Sequence, residues 1–104
     1  MIAIIEGKRY NTETATEIGA EQYGYASGFH HFRETLYRTK KGRWFLHGIG
    51  GPLSHWAVSI DNQGGRSGGS GIQPLDDDEA RAWLERYEYV VALEKYFNDS
   101  IEDA

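Results

Sequence analysis

Apolar positions along this chain change period once. Up to Leu75 they fall in short runs and alternations, and after it they recur at helical spacing. Ile2 to Ile5 is an apolar run closed by Glu6-Gly7-Lys8, which predicts a strand entering a tight turn, with Gly7 free to take positive φ and Arg9-Tyr10 as the returning arm. Asn11 to Thr14 carries turn chemistry, and the β-branched stretch Thr14 to Ile18 predicts a second strand region. Gly24 to Gly28 reads as a loop. Phe32 to Thr39 and Arg43 to His47 then form the clearest hairpin in the chain, with Lys41-Gly42 as its turn and Gly42 in the left-handed conformation. Phe32 and Leu36 share one face with Tyr37 on the other. On the returning arm Trp44 and Leu46 share a face opposite Phe45 and His47.

Gly48 to Pro52 packs three glycines and a proline into five residues, a composition that predicts the end of regular structure. Trp56 to Ile60 alternates and reads as a further strand. Residues 62–71 hold five glycines and two serines, which predicts a flexible loop, with Ile72 pairing briefly before Pro74. Asp76 then stands as an N-cap with Glu79 three residues on. Ala80, Trp83, Leu84, Tyr87 and Val91 follow at helical spacing, and Val90, Leu93, Tyr96 and Phe97 continue on a turned face. This predicts one helix from Asp77 to Arg86, a bend, a second helix to Phe97, and a polar tail from 98 to 104. Strands followed by helices give an α+β class: an antiparallel sheet, a meander with a central hairpin, packed by C-terminal helices. Trp83, Leu84 and Tyr87 are the expected packing residues against Leu36, Trp44 and Leu46. The 104 residues fit one domain, mainly β over 1–75 and helical over 76–97.

Composition narrows the function classes. With no cysteine, disulfides and thiolate zinc sites are excluded. No apolar run reaches a membrane span, and the first residues lack the pattern of a signal peptide, so the expected setting is bacterial or host cytoplasm without membrane association. The net charge of −5 is uneven: residues 1–75 carry 8 basic and 6 acidic side chains, residues 76–104 carry 3 and 10. An acidic helical face thus joins a near-neutral body.

Catalytic and cofactor signatures fail on spacing. His30 and His31 are adjacent, His47 and His55 are eight apart, and no pair has metal-ligand spacing, so a His30/His47 pair requires the fold to bring them together. Gly64 to Gly71 lacks the Lys-Ser or Lys-Thr that a phosphate loop needs, and Gly48-Ile49-Gly50 lacks the third glycine of a dinucleotide turn. Asp76 to Glu79 lacks calcium-loop spacing and is explained by helix capping. No cofactor, metal or catalytic residue is expected. Arg33, Arg38, Lys40, Lys41 and Arg43, interleaved with Tyr37, Trp44 and Phe45, form a basic and aromatic hairpin that can hold single-stranded nucleic acid. The plainer alternative is edge protection by lysines.

Gly7-Lys8-Arg9-Tyr10-Asn11-Thr12-Glu13-Thr14-Ala15, the stretch from Glu34 to Gly48, Gly50-Gly51-Pro52-Leu53-Ser54, Pro74-Leu75, Glu79-Ala80-Arg81 and Trp83-Leu84 resemble small proteins of bacterial phages and mobile elements. Ile49 stands where that resemblance expects an acidic residue. The resemblance implies no reaction. It implies a setting in which small acidic proteins block host defence, anti-CRISPR proteins among them. The expectation is therefore a non-enzymatic inhibitor whose partner is a protein or ribonucleoprotein of a host defence system, bound through Asp77, Asp78, Glu85, Glu88 and Glu94. The alternative is a nucleic-acid-binding module that uses the basic hairpin.

Overall fold

Two tight turns set the β half of the molecule. The computed structural model describes residues 1–25 and 28–104. Strands β1 (Ile2–Ile5) and β2 (Lys8–Asn11) pair antiparallel with Ile5 opposite Lys8. Glu6 and Gly7 between them both have positive φ, 51° and 76°, which matches the right-handed twist of the flanking strands. The second turn, with Gly42 at φ 86°, joins β4 (Phe32–Arg38) to β5 (Trp44–Gly50). β3 (Thr16–Tyr23) lies on the other side of β4, with a register shift between Glu17 and Gly19. A small ribbon of β6 (Val58–Ser59) and β7 (Arg66–Ser67) precedes β8 (Gly69–Leu75), and the main antiparallel sheet runs β3-β4-β5-β8. The loop expected at Gly24–Gly28 includes residues outside the described ones.

Alternation divides the sheet cleanly. Leu36 and Leu46 face each other across β4 and β5, and together with Trp44 they receive Ala80, Trp83 and Leu84 of helix α1 (Asp77–Arg86). Helix α2 (Val90–Phe97) adds Tyr96 edge-on and Phe97 stacked against Trp44, each at 5.4 Å between ring centroids. On the reverse face Phe45 is fully buried under Tyr10 of β2 and the stacked ring of Tyr37. The small hairpin therefore covers the sheet face that the helices leave open. Full burial of side chains such as Leu36, Phe45 and Leu84 stabilises by about 1.5–3 kcal/mol each.

α1 is closed at both ends. Glu79 N donates to Asp76 Oδ1 at 2.7 Å and Asp76 N donates to Glu79 Oε1 at 3.0 Å, the reciprocal capping box that the sequence predicts. At the other end Glu88 N donates to Glu85 O and Tyr89 N donates to Leu84 O, closing a Schellman motif. The position that favours glycine in this motif holds Glu88, at φ 61°.

The glycine-rich segments depart from expectation. Gly48 and Gly50 do not end the strand: β5 runs through both, and the chain leaves the sheet only at Gly51-Pro52. The absent side chains make room for neighbours. The Trp56 ring lies flat on Gly48, where a Cβ would stand 1.8 Å from the indole, and Ser54 Oγ occupies the corresponding space at Gly50. Residues 62–71 are likewise not one loop, since they include β7 and the first half of β8. Asp61 organises the intervening turn by accepting from Gly65 N and Gln63 N, and these bonds hold its carboxyl below the usual carboxylate range. Only Val58 and Ser59 of the strand expected over Trp56 to Ile60 pair, whereas β3 extends well past the expected Ile18. Pro74 sits within β8, which is tolerated because β8 is an edge strand.

Gly48→Ala is expected to lower stability by about 1–3 kcal/mol, because Trp56 must leave its seat on the strand. Thermal unfolding with Trp fluorescence checks this, and an unshifted melting curve would place Trp56 elsewhere.

Candidate functional site

Three surfaces carry the chemistry, and the sheet positions all of them. The first is the helical layer. Asp77, Asp78, Glu85, Glu88 and Glu94 are all exposed. Asp78 and Glu85, seven residues apart, share one helix face. Asp78 pairs with Arg81 at 3.3 Å, the one ion pair among the described residues. The set is not one patch. Asp77 borders a shallow depression with Lys41 and Arg43, at the end of α1 that meets the basic turn. Glu85 lies about 12 Å further along the axis, with Glu88 just beyond it.

The second surface is a groove of about 470 Å³ between the β1–β2 hairpin and the turn after β4. Lys8, Arg9, Lys40, Lys41 and Arg43 line it with Asn11, Thr14 and Thr39, and none of its described lining residues is acidic. Of the five basic residues expected on the hairpin, the fold brings together Lys40, Lys41 and Arg43. Arg38 lies instead over the rings of Trp44 and Tyr96, at 4.9 and 4.8 Å, on the helix side. Arg33 borders a small depression with Ala20, Glu21 and Gln22. Lys8 and Arg9 were not anticipated as site residues. Their turn is legible in the sequence, but its packing beside Lys40 and Lys41 is a tertiary contact that no local pattern encodes.

The third surface is a cleft of about 690 Å³ between the ends of β3 and β4, the segment after β5, and the last turn of α1. Glu34 lies at its floor. Its Oε2 accepts the indole N–H of Trp56 at 3.0 Å and its Oε1 accepts that of Trp83 at 3.1 Å. Glu34 stands opposite Gly48, the glycine on which Trp56 rests. Tyr23, stacked on Phe32, forms one wall, and Trp83 with Tyr87 forms another. His30, His55 and Arg86 complete the lining, with His55 bonded to Gln73 at 2.7 Å. Sequence reading assigned this cleft no role. The only available signal was a glutamate alternating with Phe32 and Leu36 on an apolar strand face.

Beside the cleft, Glu21 faces Glu34 across the β3–β4 pair and accepts from the Tyr89 hydroxyl at 2.6 Å. Burial, followed by that bond, raises the pKa of Tyr89, so the phenol remains a donor. The Tyr89 ring covers Gly19, where a Cβ would come within 2.5 Å of it.

The fold does not unite His30 with His47. His30 lines the cleft, whereas His47 lies on the reverse face of β5 from Leu46. No group of three or more His, Asp or Glu side chains among the described residues is placed to hold a metal ion. No helix among the described residues is long and apolar enough to cross a membrane. Comparison with known protein families, with curated proteins and with solved structures finds no match.

Burial, with a smaller contribution from the nearby N-terminal ammonium, lowers the pKa of His47 below the ordinary 6.5. In the window between the lowered value and 6.5 the unfolded chain binds more protons at this site than the folded one. Its contribution to stability is therefore present above pH 6.5 and lost as pH falls through the folded value. His47→Gln is expected to flatten the fall in melting temperature below pH 6.5. An unchanged acid slope in a pH series would assign that fall to other groups.

Proposed function

We propose that this chain is a non-enzymatic binding protein that occupies a cationic, nucleic-acid-handling surface of a protein or ribonucleoprotein partner with the carboxylates of its helical layer. In the setting that the phage-protein resemblance implies, this is an inhibitor of a host defence complex, of the anti-CRISPR kind. The supporting observation is Glu88. It occupies the left-handed position after α1, where glycine is favoured, and a side chain there costs about 1–2 kcal/mol. Strain of this kind is kept where a side chain serves function. Glu88 makes no ion pair among the described residues, and neither do Glu85 and Glu94. Carboxylates on a capped helix substitute for phosphates at a basic groove and steer encounter over a distance of about 8–10 Å at physiological salt.

A second reading has its own observation. Five cations, with no carboxylate among the described lining residues, in the groove at Lys40 and Lys41 suit a nucleic-acid backbone, which is bound through phosphate contacts. Against this stands the overall charge of −5.

Glu88→Gly is expected to raise stability by about 1 kcal/mol through relief of the strained φ, while weakening partner binding. Reversal of Glu85 and Glu88 to Lys is expected to slow association and leave the melting temperature nearly unchanged. Capture from bacterial lysate with wild type, the reversed variant and a Lys40→Glu/Lys41→Glu variant separates the readings. Protein lost only with the reversed helix supports the first, and nucleic acid lost only with the reversed turn supports the second.

A further inference from the structure

We infer that the cleft floored by Glu34 is an anchor pocket for a basic side chain, arginine or lysine, projecting from the protein partner. The inference rests on the reading above that the partner surface is cationic. It adds the place where one such cation is held.

Both Glu34 oxygens are oriented by neutral indole donors at 3.0 and 3.1 Å, so the carboxylate is fixed in position by donors that bring no counter-charge. No lysine, arginine or histidine among the described residues lies within ion-pair distance of it. Each oxygen retains a second lone pair for a donor arriving from the cleft. Aromatic rings line the cleft around the carboxylate. Trp83 and Tyr87 meet at 4.9 Å, and Tyr23 stacks on Phe32 at 5.6 Å across the cleft. A carboxylate with the exposed ring of Tyr23 and the half-buried ring of Tyr87 beside it in one cleft suits an organic cation. A single carboxylate among rings is a poor donor set for a metal ion.

The molecule supplies its own example. Arg86, which lines the cleft, rests its guanidinium over Tyr87 at 5.5 Å, which shows that this aromatic wall accepts such a group. Arg86 makes no ion pair with Glu34; it is exposed, on the last turn of α1, whereas Glu34 is half-buried on a central strand. An entering cation passes a like charge there before reaching Glu34. Glu85 and Glu88, on either side of Arg86 in sequence, belong to the surface already assigned to the cationic partner, so anchor and steering charges adjoin. The exposed Leu53 and Tyr23 at the cleft's edge supply the apolar contact that surrounds such an anchor.

The test uses the full chain and a blocked Gly-Arg-Gly peptide, with the same peptide bearing citrulline as a neutral isostere. The indole N–H signals of Trp56 and Trp83 are followed by NMR at low salt. Arginine peptide is expected to shift the Trp83 signal saturably, with citrulline peptide roughly tenfold weaker or more. Glu34→Gln is expected to weaken the arginine peptide comparably, and Arg86→Gln to tighten it. Equal response to the two peptides, no Trp83 shift, or full binding by Glu34→Gln overturns the proposal. If Glu34→Gln does not fold, the citrulline comparison and Tyr23→Ser, an exposed position, decide in its place. The helix reading fails separately: saturable arginine binding with a partner indifferent to Glu85 and Glu88 keeps the anchor and removes the steering surface. A partner that depends on those residues while no arginine peptide binds does the reverse.

Discussion

A single carboxylate connects the three parts of the structure that face the helices. Glu34 sits on a central strand, Trp56 comes from the segment after β5, and Trp83 comes from the middle of α1. The two indole hydrogen bonds reach 22 and 49 residues along the chain. Hydrogen bonds to a charged group are worth about 1.5–3 kcal/mol, more than an exposed ion pair contributes. The geometry also explains the glycines. Trp56 can reach Glu34 only by lying across β5, and β5 can admit it only where Gly48 has no side chain. Acid, glycine and two tryptophans form one constraint, and Tyr89 with Glu21 and Gly19 repeats its logic one strand away.

This constraint separates what the sequence discloses from what it hides. The central hairpin, the left-handed Gly42, the capping box and both helices were legible because each is decided within a few residues. So was the α+β class, since the change of period at Asp76 is local. The run of β5 through Gly48 and Gly50 was not legible. Glycine's local preference argues against a central strand, and the reason it is overridden is a ring that arrives from eight residues later. Residues 62–71 were misread for the same reason: composition suggested a loop, while β5 recruits Gly69 to Gly71 as pairing partners. The site was legible in part. The charges were visible as two sets, but their grouping depends on tertiary placement. Folding joins Lys8 and Arg9 to the basic turn, removes Arg38 to an aromatic stack, and spreads the acidic set over both ends of α1 and into α2.

The charged surfaces gain their meaning from that scaffold. A helix held at its middle by Trp83 and at its far end by the Schellman closure presents the backbone of Glu85 and Glu88 at fixed positions, so in the proposed binding mode little backbone freedom would be lost on docking. The basic groove, by contrast, is formed by two turns and is shaped by Tyr10 packing on Phe45. The two surfaces lie at different places on the molecule and carry opposite charge, so a chain with net charge −5 can present a locally cationic groove without contradiction. The cleft at Glu34 lies next to the last turn of α1, so in the proposed binding mode an anchor there and steering from Glu85 and Glu88 would serve the same partner.

Glu34 couples α1 to the sheet through the Trp83 indole. A double-mutant cycle on unfolding free energy tests it most directly, with Glu34→Gln, Trp83→Phe and the combination. Trp83→Phe keeps an aromatic ring in the core and removes the N–H donor. A coupling of about 1 kcal/mol or more is expected between the two positions, within the range found for residues in one hydrogen-bonded network. Additive effects, with a coupling near zero, would contradict it.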